Sequence, residues 1–244
     1  MREPSALLLA AGRATRLGEL RERHAKACVP VAGVHPLAFL LGALREAGVR
    51  RFLVNLHWRA EEVRREAEAA AGGAALDFLE EPELLGTGGT LAAAARRLGA
   101  SPDLVVNAKF FGDLPWRRIL AAPPGTLVLH PPSDLRAFGG FLHDGRRIHG
   151  LLPRAEAGEA QRPDAAVYTG VARPAPAWLA FLEKASTPAC LVRDGVLPAL
   201  AAGRAAPVLL HRGLWHEIST PERVAAAAAV VERLRAQGRP PEPA

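Results

Sequence analysis

The sequence predicts an α/β protein built on a mixed β-sheet, and three observations support this class. Short apolar segments alternate with amphipathic helical segments through the first half of the chain, which is typical of parallel strands joined by crossover helices. After Pro123 short strands follow one another, separated by turns such as Asp144-Gly145, which indicates antiparallel pairing. The 244 residues, 49% of them hydrophobic, suffice for one large domain or two small ones.

Hydrophobic periodicity predicts the elements of the first half in order. Strands are predicted at residues 5–10, 51–56, 75–79 and 104–107. Helices are predicted at 36–47, ended by Gly48, at 58–71, ended by Gly72-Gly73, and from Gly88 or Gly89 to residue 98. These alternating elements predict helices on both faces of a parallel sheet.

The second half predicts shorter elements and a different sheet pattern. Strands are predicted at 126–130, 139–142, 147–151 and 166–171, with a last strand at 208–211. Helices are predicted at 175–182 and 191–202, and residues 154–164 read as a polar loop. Thr220-Pro221-Glu222 predicts the start of a final helix, with proline at its first position. We expect one domain over residues 1–237 and a disordered tail at 238–244.

Composition narrows the classes of function. The net charge is +6, but the arginines are scattered among glutamates, which favours solvated helix faces over a nucleic-acid groove. Cys28 and Cys190 are the only cysteines, so a disulfide framework is not expected and a reducing, cytoplasmic location is. The N-terminal residues do not resemble a signal peptide, and no apolar run reaches the ~18 residues of a membrane span.

The most informative segment is the loop that follows the first strand. Gly12-Arg13-Ala14-Thr15-Arg16 ends the apolar run, and Lys26 follows ten residues after Arg16. Small residues let backbone N–H groups approach a ligand, while arginine and lysine supply positive charge for phosphates. The loop has neither the Walker pattern nor G-x-G-x-x-G, so taken alone it also fits an ordinary surface turn. Its layout predicts a phosphate-binding site at the end of the first strand.

Further segments, in order along the chain, carry a resemblance to a known family. They are LAAGRATRL at 9–17, Lys26 with Pro30-Val31-Ala32-Gly33, Asn55-Leu56-His57, EPELLGTGG at 81–89, Tyr168-Thr169-Gly170 and WHEISTPER at 215–223. The chain resembles the sugar-1-phosphate nucleotidyltransferases in their small bacterial form, which include muramate-1-phosphate uridylyltransferases and heptose- or mannose-1-phosphate guanylyltransferases. The resemblance implies a Rossmann-like, three-layer nucleotide-diphospho-sugar transferase fold with a mixed central sheet.

The resemblance also implies a reaction and roles for individual residues. A sugar-1-phosphate oxygen would attack the α-phosphorus of a nucleoside triphosphate, giving an NDP-sugar and pyrophosphate. No nucleic-acid or membrane partner is implied. The implied catalytic residues are Arg16 on the pyrophosphate and Lys26 on the α-phosphate. The implied binding residues are Leu9, Ala10, Ala11 and Gly12 along the nucleotide, Gly86, Thr87, Gly88 and Gly89 at its base, and Asn107 and Gly170 at the sugar.

The chain departs from the family at the metal site. The family uses two carboxylates to hold Mg²⁺, but this chain has Lys109 in the first position and Glu217 in the second. A protonated lysine cannot ligate Mg²⁺ and repels it. Three interpretations follow: the Lys109 ammonium takes the place of the ion, the chain is a silent homologue that binds nucleotide or sugar phosphate, or Asp113 rescues the metal, which is least favoured. An ion pair between Lys109 and Glu217 that fills the metal position would favour the silent homologue. A carboxylate within ~5 Å of a free Glu217 would favour metal catalysis.

Two other patterns have simpler interpretations. The eight histidines lack H-x-x-x-H or H-E-x-x-H spacing, so a zinc site is not expected. Glu80 and Glu81 are adjacent at the end of a predicted strand, where neighbouring side chains point to opposite faces. One of these two glutamates is therefore expected to be solvated.

Overall fold

The computed structural model describes residues 3–158 and 162–238. The chain divides into two compact units. The first contains Met1–Leu84, Val106–Arg117 and Gly213–Ala244, and the second contains Leu85–Val105 and Arg118–Arg212. The prediction of one domain over 1–237 stays a prediction, and the tail predicted at 238–244 lies, apart from Gly238, outside the described residues.

The elements are numbered in chain order. The strands are β1 Ser5–Leu9, β2 Arg51–Leu56, β3 Ala75–Glu80, β4 Leu104–Asn107, β5 Phe110–Gly112, β6 Leu127–His130, β7 Gly140–His143, β8 Ile148–Leu152, β9 Ala165–Ala172, β10 Val208–Leu210 and β11 Trp215–Glu217. The helices are α1 Leu20–Arg23, α2 Pro36–Glu46, α3 Ala60–Ala70, α4 Gly86–Leu98, α5 Trp116–Ala121, α6 Leu135–Phe138, α7 Pro176–Leu182, α8 Leu197–Ala201 and α9 Pro221–Ala236. Short 3-10 turns span Lys26–Cys28 and Arg154–Glu156, and Leu191–Val196 is π-helical.

The first unit contains a parallel set of strands. β1 pairs with β2, and β2 pairs with β3, in one direction throughout. The side chains of β1 and β2 are almost entirely buried, as expected for strands covered on both faces. In parallel strands the carboxyl ends lie on one edge, so the loops after Leu9, Leu56 and Glu80 leave the sheet on the same side. The loop after Leu9, which contains Gly12-Arg13-Ala14-Thr15-Arg16, is the one predicted to bind phosphate and is called the site loop below.

The second unit supplies the antiparallel part of the predicted mixed sheet. β6 runs antiparallel to β9 and parallel to β10, while β7 runs antiparallel to both β8 and β9. The parallel and antiparallel pairs together confirm the predicted fold class. Strand β4 is divided, because Leu104 and Val105 belong to the second unit whereas Val106 and Asn107 belong to the first.

Most predicted elements are confirmed, and the exceptions have local causes. Helix α3 begins at Ala60 rather than 58, because Arg59 adopts a left-handed backbone with φ of 51°. Helix α4 begins at Gly86, earlier than predicted. The segment predicted as one helix at 191–202 opens as a π-helix. The polar loop at 154–164 contains a 3-10 turn, and its residues 159–161 lie outside the described part.

The prediction that 208–211 is the last strand is wrong. The three-residue strands β5 and β11 pair antiparallel, with Glu217 opposite Phe110. Three residues are too few to show a period in the sequence, so this ribbon depends on pairing between distant segments. It belongs wholly to the first unit and places Glu217 beside the end of β4.

Two findings bear on the compositional predictions. Cys28 and Cys190 are free thiols. Of the helices within residues 3–158 and 162–238, none has the length and apolar content needed to cross a bilayer.

Candidate functional site

The loop after β1 is held by a buried asparagine at the end of β2. Asn55 is 4% exposed, and its Oδ1 accepts hydrogen bonds from the backbone N–H groups of Ala10, at 2.6 Å, and Ala11, at 3.2 Å. These two N–H groups are therefore engaged within the protein. If Ala10 and Ala11 line a nucleotide, their carbonyl groups and side chains are what they offer to it.

A buried carboxylate fixes the orientation of this asparagine. Glu81 is 3% exposed, and its Oε1 accepts a hydrogen bond from Asn55 Nδ2 at 2.8 Å. The side chain of the preceding Glu80 is 72% exposed and pairs with Arg64. The expectation that one of the two adjacent glutamates is solvated is thus confirmed. Their alternation places one carboxylate against Asn55 and the other in solvent.

His57 connects the same region to the exposed part of the loop. Its Nδ1 lies 2.8 Å from the backbone oxygen of Glu81, which can only accept, so Nδ1 carries the proton. Nε2 then accepts a hydrogen bond from Arg13 Nε at 3.3 Å. The sequence marked Asn55 and His57 as part of a motif, but only the structure shows that they brace the loop.

Lys26 is positioned by a glutamate on helix α3. The carboxylate of Glu62 accepts hydrogen bonds from the backbone N–H of Ala25, at 2.7 Å, and from Arg59 Nε, at 2.7 Å, and it lies 2.9 Å from His24 Nδ1. Ala25 immediately precedes the 3-10 turn that begins at Lys26. Glu62 therefore fixes the backbone from which the Lys26 side chain projects.

Lys109 and Glu217 meet at the ribbon of β5 and β11. The backbone N–H of Ile218 donates to the carbonyl of Lys109 at 2.9 Å, which places Glu217 beside Lys109. Lys109 Nζ lies 3.2 Å from Glu217 Oε2. The Glu217 side chain is 2% exposed and that of Lys109 is 32% exposed. The pair is thus a buried carboxylate covered by a partly accessible ammonium.

The second oxygen of Glu217 is also engaged. Glu217 Oε1 accepts a hydrogen bond from Ser219 Oγ and lies 3.2 Å from Arg223 Nε. Burial alone would raise the pKa of Glu217, but the charge of Lys109, assisted by Ser219 and Arg223, lowers this pKa below its usual value. The carboxylate therefore stays ionised. The sequence predicted the importance of Glu217 but assigned no role to Ser219 or Arg223.

Two cationic side chains of the first unit, Arg16 and Lys109, act electrostatically on a third, Lys26. The pKa of Lys26 is lowered from 10.5 to about 8, chiefly by burial and then by the charges of Lys109 and Arg16, against the opposing effect of Glu217. Lys26 is thus close enough to both Arg16 and Lys109 to be repelled by each. Such a cluster is stabilised by an anion that carries several charges.

The donor set does not fit a resident Mg²⁺. Magnesium binds oxygen ligands, usually carboxylates. Glu217 has one oxygen against Lys109 and the other against Ser219 and Arg223, while Asp113 Oδ1 accepts a hydrogen bond from Leu214 N at 2.6 Å. Within the described ranges no three histidine, cysteine, aspartate or glutamate side chains are grouped to hold a metal.

The glycines at 86–89 lie in the second unit, where they are packed by protein. The backbone N–H groups of Gly88 and Gly89 donate to the carbonyl of Ala189, at 2.9 and 3.4 Å, and Thr87 Oγ1 accepts from Leu191 N at 3.0 Å. A Cβ on Gly88 would lie 2.4 Å from Leu182 Cδ2. The small size of these residues thus has a packing reason, in addition to the role at the base implied by the resemblance.

Gly170 occupies a bulge in β9. Its φ is 85°, a conformation that favours glycine, and the pairing of β6 with β9 shifts register between Leu127 and Leu129. Thr169 Oγ1 donates to the carbonyl of Val128 at 2.8 Å beside this bulge. The local geometry therefore explains the glycine, and its proposed contact with a sugar remains a prediction.

We expect Gly86→Ala to destabilise the protein far more than Gly99→Ala. Both glycines have positive φ, of 76° and 67°, but a Cβ on Gly86 would lie 2.4 Å from the Ala189 carbonyl oxygen, whereas Gly99 has open space. The expected losses in unfolding free energy are about 2–4 kcal/mol for Gly86→Ala and about 1 kcal/mol for Gly99→Ala. Urea denaturation of both variants measures this. Equal losses would show that the segment around Ala189 moves aside freely.

Comparisons with known proteins agree with the predicted resemblance. A family model described as a MobA-like NTP transferase domain matches residues 6–121. The mannose-1-phosphate guanylyltransferase catalytic subunit beta of Drosophila pseudoobscura pseudoobscura is 28% identical over 89% of this chain and 59% of its own length. The N-acetylmuramate alpha-1-phosphate uridylyltransferase of Neisseria meningitidis serogroup B is 26% identical over 92% of this chain and 97% of its own length.

A solved structure supports the same fold. The crystal structure of HddC from Yersinia pseudotuberculosis, complexed with GMP-PN, superposes with a TM-score of 0.71 at 18% identity, covering 93% of this chain and 99% of that one. The predicted resemblance and fold class are thereby confirmed. The chain spans less than two thirds of the length of the animal guanylyltransferase subunits it matches.

Proposed function

We propose that this chain, a homologue of the sugar-1-phosphate nucleotidyltransferases with a MobA-like NTP transferase domain at residues 6–121, transfers a nucleotidyl group to a sugar-1-phosphate. The substrates would be a nucleoside triphosphate and a sugar-1-phosphate, and the products an NDP-sugar and pyrophosphate. Nucleic acid and membrane are not part of the proposal. A cytoplasmic location is retained as a prediction, in line with the two free thiols.

The observation that carries the proposal is the cationic cluster at the loop after β1. The charges of Arg16 and Lys109 both act on Lys26 and lower its pKa, and Glu217 opposes them. The transfer of a nucleotidyl group needs positive charge on the α-phosphate and on the departing pyrophosphate. In the proposed reaction Lys26 stabilises charge at the α-phosphate, and Arg16 holds the pyrophosphate. In the first unit Leu9, Ala10, Ala11 and Gly12 line the nucleotide, and Asn107 contacts the sugar. The implied contacts of Gly86–Gly89, the first turn of helix α4, with the base and of Gly170 with the sugar stay predictions.

Pyrophosphate release tests this function. Purified protein is incubated with ATP, CTP, GTP or UTP and with mannose-1-phosphate, N-acetylmuramate-1-phosphate or glucose-1-phosphate, with Mg²⁺ or with EDTA. Release that requires both substrates, with formation of the matching NDP-sugar, supports transfer. Failure of every triphosphate to bind in calorimetry would contradict the proposal.

The Lys109–Glu217 ion pair is the observation behind a second candidate function. In this candidate the chain is a homologue that binds nucleotide or sugar phosphate without transferring it and acts through a partner. The same experiment separates the two, because the second candidate binds a triphosphate and releases no pyrophosphate with any of the sugar phosphates.

We expect triphosphate binding to weaken as the pH rises through about 8. The lowered pKa of Lys26, about 8, means that the unliganded side chain loses its charge there. Bound phosphate raises this pKa, so binding at pH 8 to 9 takes up a proton. The stability of the unliganded fold depends on pH in the opposite direction. Between pH 8 and 10.5, approximately, the unfolded state binds more protons at Lys26 than the folded state does, so the free energy of unfolding rises with pH over this range.

Calorimetry between pH 7 and 9.5 checks this expectation, with Lys26→Arg as the matched control. Arginine keeps its charge throughout this range, so the variant should bind with little pH dependence. An equal decline in affinity for both proteins would assign the titration to a different group.

A further inference from the structure

We infer that the site binds the polyphosphate of its nucleotide without a resident divalent cation, with the ammonium of Lys109, held by Glu217, supplying the positive charge. This inference rests on the proposed function, because it concerns how the same site neutralises its substrate. Four features of the first unit support it: the geometry of the pair, the charge around it, the choice of lysine and the access to its side chain.

The geometry gives the ammonium a fixed position. Lys109 is the second residue after β4, and its N–H donates to the carbonyl of Asn107 at 2.8 Å. The N–H of the intervening Ala108 donates to the carbonyl of Leu9 at 3.1 Å. The end of β4 is thus joined to the end of β1, from which the site loop departs. On the other side Glu217 Oε2 has no well-oriented hydrogen bond in the described part of the chain, so the ammonium 3.2 Å away neutralises it.

The charges around this point favour an anion over a metal ion. One carboxylate, Glu217, faces the ammonium of Lys109 and the guanidinium of Arg223, while Lys26 and Arg16 add two further positive charges. A divalent cation would be repelled by these groups, and it would find Glu217 Oε1 hydrogen-bonded to Ser219 and Oε2 facing the Lys109 ammonium. A triphosphate, by contrast, brings the negative charge that the cluster lacks.

The presence of lysine rather than arginine at position 109 is informative in this chain. All but three of its 31 basic residues are arginine, and two of the three lysines, Lys26 and Lys109, belong to this cluster. An ammonium is a compact point charge with three freely rotating donors, whereas a guanidinium is a planar fork. Of the two, the ammonium is closer to a metal ion in size and in its lack of fixed orientation. The third lysine, Lys184, is exposed in the second unit.

Lysine acylation tests the inference on the unmodified protein. Lys109 is 32% exposed and Lys184 is exposed, so an N-hydroxysuccinimide ester can reach both, and mass spectrometry reads each site separately. In EDTA, a nucleoside triphosphate at ten times its Kd should slow acylation of Lys109 and Lys26 by about tenfold and leave Lys184 unchanged. Unchanged acylation of Lys109 with the nucleotide bound in EDTA would overturn the inference.

Calorimetry separates this inference from the proposed function. The probes are inorganic triphosphate and the four nucleoside triphosphates, each titrated in EDTA and in Mg²⁺. Binding with similar affinity in both buffers supports the inference. Binding that is at least tenfold weaker in EDTA overturns it but leaves the proposed function standing, whereas the absence of binding in both buffers overturns both.

Two variants sharpen the test. Lys109→Asp should make binding depend on the metal, with the triphosphate bound at least tenfold more tightly in Mg²⁺ than in EDTA. The double variant Lys109→Gln with Glu217→Gln removes both charges and so avoids a buried, unpaired carboxylate; it should lose affinity in EDTA by roughly tenfold or more. Lys184→Gln is the matched control and should bind as the unmodified protein does. A Lys109→Asp protein that binds equally well in EDTA would contradict the inference.

Discussion

Replacing Lys26 with alanine is expected to weaken triphosphate binding by about 2–3 kcal/mol, or roughly a hundredfold. The reason is local: the side chain is half-buried, its pKa is lowered to about 8 by burial and by Lys109 and Arg16, and its backbone is fixed by the hydrogen bond from Ala25 N to Glu62. A charge held in such a place loses little entropy when it meets a phosphate. Calorimetry at pH 7, where Lys26 is charged, measures the change.

Two controls make the Lys26 result specific. Lys26→Arg keeps the charge and should retain most of the affinity at pH 7, while Lys184→Ala removes one exposed lysine charge and should change the affinity less than twofold. Circular dichroism of each variant checks that the fold is unchanged. A Lys26→Ala protein that binds as tightly as the Lys184→Ala protein would remove Lys26 from the site.

Asn55→Leu should cost about 3–5 kcal/mol of unfolding free energy, the largest stability effect that we predict. The change removes the acceptor of the Ala10 and Ala11 N–H groups and the donor to Glu81, all of which are buried. Buried polar groups that lose a partner cost more than the net value of the hydrogen bond, and a buried carboxylate costs most. Urea denaturation at pH 7 measures the loss.

A second variant tests whether the carboxylate is the sensitive partner. Asn55→Asp keeps an acceptor for the loop but sets a second carboxylate against Glu81. The loss of unfolding free energy in this variant should therefore shrink as the pH falls and one of the two carboxylates becomes protonated. Glu80→Gln alters the neighbouring, 72% exposed glutamate and should stay within about 0.5 kcal/mol of the unmodified protein. If Asn55→Leu lost no more unfolding free energy than Glu80→Gln, the hydrogen bonds of Asn55 to Glu81 and to the loop would not support the loop.

The strands and helices with clear periodicity could be predicted because local sequence determines them. The apolar run of β1, the strand β2 and the proline-initiated helix α9 carry their own signals, and the structure agrees with them closely. The order of β1, the site loop, Lys26 and the later motifs was likewise sufficient to predict the family resemblance. The short ribbon of β5 and β11 gave no such signal, because its two strands stabilise each other only after distant segments meet.

The sequence by itself therefore determined the fold class, the location of the site loop and the presence of a lysine where the family has an acid. Only the tertiary structure decided that Lys109 contacts Glu217, that Asn55 occupies two N–H groups of the loop and that Glu81 supports Asn55. The physical reason is that secondary structure follows from neighbours along the chain, whereas the charge state and hydrogen bonding of a site depend on side chains that folding brings within a few ångströms.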